Sequence, residues 1–314
     1  NVMASHFYVE DVTSAYQVGL DWLDWSASQL QANESTLNVD LRQKHYSAHL
    51  QHLSWVMQLA HLSSSPWPYA HWLRARGRDL GTTQLLSRAI ASSADPTLRA
   101  SFEEMRSVNA QVARLQEKLV ENPSLRSAID GLKETSSALE RELMQGSEVF
   151  AALKQELSVS RVVGVLEAGE AFVDILPLPA SQFDTSYTYM AFVLKAGATS
   201  FQEVVLGEGD VLDDAFSMYQ SYTTNPSKDP SLYGGVCHAM YWSKLDSVLT
   251  DVHTVYLSPD GVYAKMNAGV FYDEGTSAFL TDRLEVRLVS SGAELVRQRT
   301  GFYDLLTSDL DLVS

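Results

Sequence analysis

The pattern of apolar residues changes near residue 160, and this change limits what the chain can fold into. Before it, apolar residues recur every three or four positions, as on one face of a helix. After it, short runs rich in aromatic and β-branched residues alternate with helical stretches. The 314 residues therefore predict an α + α/β fold, with a helical arm over 1–157 and an α/β domain with a mixed sheet over 158–314.

Two start signals organise the second part of the predicted arm. Asp95-Pro96 and Asn122-Pro123 each place a capping side chain before a proline in the first turn of a helix. Matching apolar stripes follow both signals, and only a short link separates them. We therefore predict an antiparallel helical hairpin over 95–146, ending at Gly146, in an arm that resembles the end of a helical repeat.

The second half is predicted to form a mixed sheet. The link over 195–200 is short enough to join an antiparallel pair, whereas the strand at 254–257 follows a long helical stretch, as in a βαβ crossover. The predicted strands are 171–176, 187–194, 201–206, 254–257 and 284–289. The predicted helices among them are 208–222, 233–250 and 291–298.

Charge and cysteine content restrict the function classes. The net charge is −16, and residues 158–314 carry 21 Asp and Glu against 9 Lys and Arg. That negative field repels phosphate backbones and anionic lipid surfaces, so we expect neither nucleic acid nor membrane as a partner. Cys237 is the single cysteine, which excludes an internal disulfide and fits a reducing, cytoplasmic compartment.

One run of residues resembles a known family. Residues 255–261 read as a strand that ends in the turn Ser258-Pro259-Asp260-Gly261, where Pro presets φ and Gly closes the turn. This run resembles the strand and S-P-D-G turn of CHAT domains, which are caspase-like domains commonly fused to tetratricopeptide repeats. Neighbouring phrases follow the family's order: the pair of strands at 187–194 and 204–207, Lys265-Met266-Asn267, and Ser290-Ser291.

The resemblance implies a cysteine endopeptidase that cleaves protein partners, in some bacterial systems during defence. The family's catalytic His and Cys phrases come after the region that this chain matches, so no catalytic, cofactor-binding or metal residue and no cofactor is predicted here. The four turn residues are predicted to be structural. We therefore expect a regulatory and scaffold portion of a CHAT peptidase whose active half lies C-terminal to it or on a separate chain. The alternative is a free-standing interaction module with a degenerate caspase-like fold.

Three other groups of residues invite functional hypotheses. Cys237 and His238 are adjacent, but neighbouring residues on a helix point about 100° apart, so Cys237 is predicted to be a buried core residue. His45, His49 and His52 share a helix face and predict a half-exposed histidine edge; a zinc enzyme is the rival hypothesis. The carboxylates Asp210, Asp213 and Asp214 are predicted to lie in the first turn of a helix.

The predicted sheet stops after 284–289, whereas the sheet of caspase-like folds continues into the strands that carry the catalytic loops. An uncovered edge offers unpaired backbone groups, which proteins rarely leave open. We therefore expect this edge to associate with the C-terminal half of a CHAT domain or with a second copy of the chain.

Overall fold

The computed structural model describes residues 12–33, 39–76, 95–119, 122–146, 157–179, 186–225 and 227–302. The chain forms two compact units. One unit is mainly helical, and the other contains the sheet together with an earlier segment, Ser54–Gly77. The predicted boundary between 1–157 and 158–314 stays a prediction.

The helices and strands follow the predicted order, with helices first and strands later. The helices are α1 (Val12–Asn33), α2 (Val39–Ser63), α3 (Tyr69–Arg76), α4 (Pro96–Lys118), α5 (Arg126–Gly146), α6 (Val159–Gly164), α7 (Gly209–Thr223), α8 (Pro230–Tyr241), α9 (Ser243–Asp246), α10 (Leu280–Arg283) and α11 (Gly292–Arg299). The strands are β1 (Glu170–Pro179), β2 (Tyr187–Lys195), β3 (Gln202–Glu208), β4 (Thr254–Ser258), β5 (Tyr272–Asp273), β6 (Ala278–Phe279) and β7 (Glu285–Leu288).

The hairpin predicted over 95–146 is confirmed by α4 and α5. Asp95 caps α4, because its side chain accepts hydrogen bonds from the backbone N–H groups of Thr97 and Leu98. α4 packs against α5. Ser136 lies within the apolar stripe of α5, and its Oγ donates a buried hydrogen bond of 2.7 Å to Asn109 Oδ1 on α4. A buried polar pair of this kind is tolerated because each partner satisfies the other.

The larger sheet confirms the predicted α/β class with a mixed sheet. Within the described residues its strand order is β3-β2-β1-β4-β7. β2 runs antiparallel to β1 and β3, as the short link over 195–200 predicted. β4 runs parallel to β1 after the helical crossover, and β7 runs parallel to β4. β5 and β6 form a separate small hairpin.

Helices cover both faces of this sheet. On one face, α7 and α8 bury an apolar core against alternate residues of β1, β2 and β4. On the other face, α3 supplies Tyr69, whose ring stacks on Phe192 of β2 with centroids 4.6 Å apart. α6 and α11 pack on the same face, where a Cβ on Gly292 would lie 3.1 Å from Val162 and 3.5 Å from Phe172. Covering on both faces explains why β1 is a nearly continuous apolar run.

The helix predicted over 233–250 is shorter and divided. α8 ends at Tyr241, Trp242 leaves the helical conformation with φ −124° and ψ −33°, and α9 covers only Ser243–Asp246. Trp242 is 1% exposed. No glycine or proline marks this break in the sequence, so the sequence pattern predicted one continuous helix.

Candidate functional site

The turn singled out in the sequence lies at the carboxyl end of β4. Asp260 Oδ1 accepts a 2.7 Å hydrogen bond from Gly261 N and caps the short 3₁₀ helix Gly261–Lys265. Gly261 has φ +57°, and a Cβ there would lie 2.1 Å from the hydroxyl oxygen of Tyr189. Only glycine fits this position, because both the backbone conformation and the close approach exclude a side chain.

The Tyr189 hydroxyl ties this turn to two other elements. It accepts a hydrogen bond of 2.8 Å from Val262 N and donates one of 3.0 Å to Asp213 Oδ1 on α7. Tyr187 also donates to Asp213. Burial, followed by the hydrogen bond to Asp213, raises the pKa of Tyr187, and burial raises the pKa of Tyr189, so both remain phenols and donors. The turn is therefore fixed to β2 and to α7.

Asp213 has a role that the sequence did not predict. α7 begins at Gly209 and carries Asp210 in its first turn, as expected for a residue near the positive end of the helix dipole. Asp213, one turn later, faces the two tyrosines of β2. The prediction that all three carboxylates lie in the first turn is confirmed for Asp210 and wrong for Asp213 and Asp214, because α7 begins only at Gly209.

A buried carboxylate lies beside the turn on the sheet face covered by α3. Asp174 of β1 pairs in parallel register with Ser258, and it is 1% exposed. Its carboxylate accepts hydrogen bonds from three residues of α3. These are Tyr69 Oη at 3.4 Å, Trp72 Nε1 at 3.2 Å and Arg76 at 3.1 Å. We call Tyr69, Trp72, Arg76, Asp174 and Ser258 the Asp174 cluster.

Burial dominates the electrostatics of this cluster. It raises the pKa of Asp174, although the Arg76 guanidinium and the hydrogen bonds from Trp72 and Tyr69 each lower it. Burial, with the Asp174 charge, also holds the pKa of Tyr69 well above its usual value. Arg76 reaches outward as well, since it lies 3.7 Å from Asp260 Oδ2. Arg76 therefore links the buried carboxylate to the turn.

Within the Asp174 cluster, the hydroxyl group of Ser258 is not placed to act as a nucleophile. Ser258 Oγ lies 3.3 Å from the carbonyl oxygen of Ser290, to which it donates, and Asp174 accepts from several donors. A serine nucleophile needs a base that removes its proton, and a carboxylate already shared by these donors is poorly suited to that task. The cluster lies at the carboxyl end of β4, where the parallel pairing of β1 with β4 stops, although β1 itself continues to Pro179.

Cys237 and His238 have separate surroundings, as their adjacency on a helix predicted. Cys237 is fully buried in the core beneath the sheet, and burial raises the pKa of its thiol to about 11. His238 Nε2 instead lies 2.8 Å from Asp246 Oδ2 on α9. The prediction that Cys237 is a core residue is confirmed.

The histidine face of α2 is partly different from its prediction. His49 is buried, and its Nδ1 lies 2.6 Å from Ser26 Oγ on α1. Trp22 stacks on His49 and on His52, at centroid distances of 6.3 and 4.0 Å. The side chain of His45 lies outside the described residues. The expectation of a half-exposed edge is wrong for His49, because α1 covers it.

The sequence did not predict the hydrogen-bonding roles of Asp174, Arg76 and Tyr189. One signal was present, namely a lone carboxylate at Asp174 within an otherwise apolar strand run. Such a residue needs partners when it is buried. Its partners come from α3, far away in the sequence, and no local pattern shows that α3 packs on the sheet.

Comparisons with known proteins found nothing similar: no family model matches the chain, and neither does any curated protein or solved structure. The resemblance to CHAT domains therefore stays a prediction. Within the described residues, no helix is long and apolar enough to cross a membrane.

Proposed function

We propose that this chain is a non-catalytic scaffold portion of a caspase-like CHAT cysteine peptidase. In this proposal a partner portion supplies the catalytic Cys and His and cleaves protein substrates, in bacterial defence as the resemblance implies. The observation that carries the proposal is the open outer side of β7. Among the described residues this strand pairs with β4 alone, at the end of the parallel series β1-β4-β7.

The backbone of β7 is set up to accept one more strand. Glu285 N and Val289 N donate inward, to His253 O at 2.8 Å and to Leu257 O at 2.9 Å. Since backbone groups alternate in direction along a strand, the N–H groups of Val286 and Leu288 point to the open side. The side chain of Leu288 is 66% exposed on this strand. A further strand would cover both features.

The proposed partner strand would place its catalytic loop next to the turn Ser258–Gly261 and the Asp174 cluster. Added parallel to β7, it would end at the same carboxyl edge as the turn Ser258–Gly261 and the Asp174 cluster. Those groups are fixed by hydrogen bonds and would support the neighbouring loop, because rigid second-layer contacts hold catalytic groups in position. The net charge of −16 and the single reduced cysteine favour a cytoplasmic protein that acts with protein partners.

Light scattering coupled to size exclusion tests the proposal. The chain is mixed with the polypeptide that follows residue 314 in the same reading frame, and we expect a 1:1 complex. Leu288→Lys should weaken that complex strongly, because a charge on an edge strand opposes strand addition. Val205→Lys is the matched control, since Val205 is 49% exposed on β3 at the opposite edge of the sheet.

Three outcomes decide between the hypotheses. The peptidase is contradicted if His and Cys phrases are found neither in the downstream frame nor on a separate chain that binds this one. A complex that is equally sensitive to Leu288→Lys and Val205→Lys contradicts the use of β7. Self-association that Leu288→Lys abolishes, without any downstream partner, would support the free-standing interaction module instead.

A further inference from the structure

Three side chains that could bind a metal ion converge where α8, α9 and the β5–β6 hairpin meet. His238 comes from the last turn of α8, Asp246 from α9, and Asp273 from β5. One ligand atom from each lies within 4.8 Å of the other two, and His238 Nε2 lies 2.8 Å from Asp246 Oδ2. His238 is buried, and both carboxylates are partly exposed. We call these three residues the His238 triad.

A pair of glycines brings the triad together. A Cβ on Gly234 would lie 2.9 Å from Val270 O, and one on Gly235 would lie 2.7 Å from a carboxylate oxygen of Glu274. Without side chains at these positions, α8 and the β5–β6 hairpin approach closely. Asp273 therefore reaches His238, which follows Gly235 by about one helical turn.

Hydrogen bonds hold the Asp273 carboxylate in place. Its Oδ1 accepts from Gly275 N and its Oδ2 from Thr276 Oγ1, each at 2.9 Å. These hydrogen bonds restrain the partly exposed Asp273 carboxylate on the β5–β6 hairpin.

The charge balance of the triad depends on the protonation of His238. Arg283 donates to Asp246 Oδ1 and leaves Oδ2 facing His238. When His238 is protonated, its pair with Asp246 balances the charges, but when His238 is neutral, as a metal ligand must be, one guanidinium stands against the two carboxylates of Asp246 and Asp273. The excess negative charge lies beside a buried imidazole, and a bound cation would compensate it.

We propose that the His238 triad binds a divalent transition-metal ion such as Zn²⁺. The ligands would be His238 Nε2, Asp246 Oδ2 and one oxygen of Asp273, with a further position for water. Ligand atoms about 2.0 to 2.2 Å from one zinc ion lie about 3 to 4 Å apart, and small rotations of the partly exposed carboxylates reach that spacing. Arg283 orients Asp246 as outer hydrogen-bond partners of metal ligands do.

The donor set defines the class of ion. One imidazole and two carboxylates suit zinc and its neighbours, whereas Mg²⁺ and Ca²⁺ prefer oxygen ligands throughout. The ion would fasten the β5–β6 hairpin to α8 and α9, and so stabilise the fold. This inference does not depend on the proposed peptidase scaffold, and it departs from the expectation that the chain holds no metal.

Calorimetric titration of the chelator-treated full chain with Zn²⁺ tests the proposal. We expect one saturable site per chain, a higher unfolding temperature with Zn²⁺, and d–d absorption bands when Co²⁺ replaces it. Asp273→Asn should weaken binding by at least about 10-fold. His238→Ala should weaken Zn²⁺ binding to a similar degree. If the loss of the buried His238 side chain makes the His238→Ala chain unstable, Asp273→Asn still tests the site.

Two controls match the removed groups. Asp251→Asn removes an exposed carboxylate, and His253→Asn removes an imidazole that hydrogen-bonds Thr254 instead. Both should bind Zn²⁺ as the parent chain does. The proposal is overturned if no saturable binding occurs, if Asp273→Asn binds unchanged, or if Mg²⁺ binds as tightly as Zn²⁺. The contacts of His238 with Asp246 and of Asp246 with Arg283 would then be a purely structural ion-pair network.

Discussion

Gly261 and Tyr189 are held so close together that a methyl group on Gly261 would lie 2.1 Å from the tyrosine hydroxyl. The same hydroxyl accepts a hydrogen bond from the backbone of Val262 and donates one to Asp213. The turn at the end of β4 thus depends on one glycine and on one tyrosine of a neighbouring strand. This relationship gives the S-P-D-G phrase a physical role at this position.

Gly261→Ala should destabilise the fold. The positive φ costs a non-glycine residue about 1 to 3 kcal/mol, and displacement of the Tyr189 hydroxyl adds roughly 1 kcal/mol for the lost hydrogen bond. Chemical denaturation measures the change in unfolding free energy. Gly164→Ala is the control, since a Cβ there would meet nothing within 4 Å, and it should be neutral or slightly stabilising. Equal effects of the two substitutions would contradict the assigned role of Gly261.

Arg76→Met should leave the carboxylate of Asp174 buried beside an apolar side chain. Removal of one partner of a buried pair costs about 3 to 5 kcal/mol at neutral pH. Burial already raises the pKa of Asp174, and the loss of Arg76 raises that pKa further. As the pH falls, Asp174 therefore becomes protonated, and the unpaired buried charge disappears. The destabilisation should therefore be largest well above the carboxyl pKa and should shrink as the pH falls towards about 4.

The control for Arg76 is Arg106→Met. Arg106 forms an exposed pair with Glu103 at 2.9 Å, with side chains 60% and 61% exposed, so its loss should change stability little at any pH. Denaturation curves over a pH series measure both variants. A destabilisation by Arg76→Met that stays constant from acid to neutral pH would mean that Asp174 is not the group left unpaired.

Cys237 should react slowly with thiol reagents in the native chain. Burial raises its pKa to about 11, so near pH 8 its thiolate fraction is more than about 100-fold below that of an ordinary cysteine. The pKa of Cys237 is higher in the folded chain than in the unfolded chain, so its neutral thiol contributes to stability below the unfolded pKa of about 8.5. This contribution is lost as the pH rises towards about 11.

Labelling kinetics with and without concentrated guanidinium chloride measure the reactivity of Cys237. We expect rapid labelling only after denaturation. The control carries Ser243→Cys in a Cys237→Ala background, because Ser243 is exposed and a thiol there should label quickly in the native state. Native labelling of Cys237 at the rate of this exposed thiol would show that it is accessible and activated.

The sequence predicted the elements better than the contacts between them. Asp95-Pro96 and the aromatic and β-branched runs act through neighbouring backbone, so the hairpin and the strands of the larger sheet could be located from local pattern. The division of the helix at Trp242 could not, because no glycine or proline marks it in the sequence. The partners of Asp174 could not either, since α3 reaches β1 only through tertiary packing. The His238 triad likewise combines residues from three separate elements.

A peptidase assay tests the central claim most directly. The chain alone, incubated with casein and with a caspase-type peptide library, should give no turnover. Mixed with the polypeptide that follows residue 314, it should support turnover that depends on the cysteine of that polypeptide and falls in the Leu288→Lys variant but not in Val205→Lys. Turnover by the chain alone, lost on Cys237→Ala, would contradict the account.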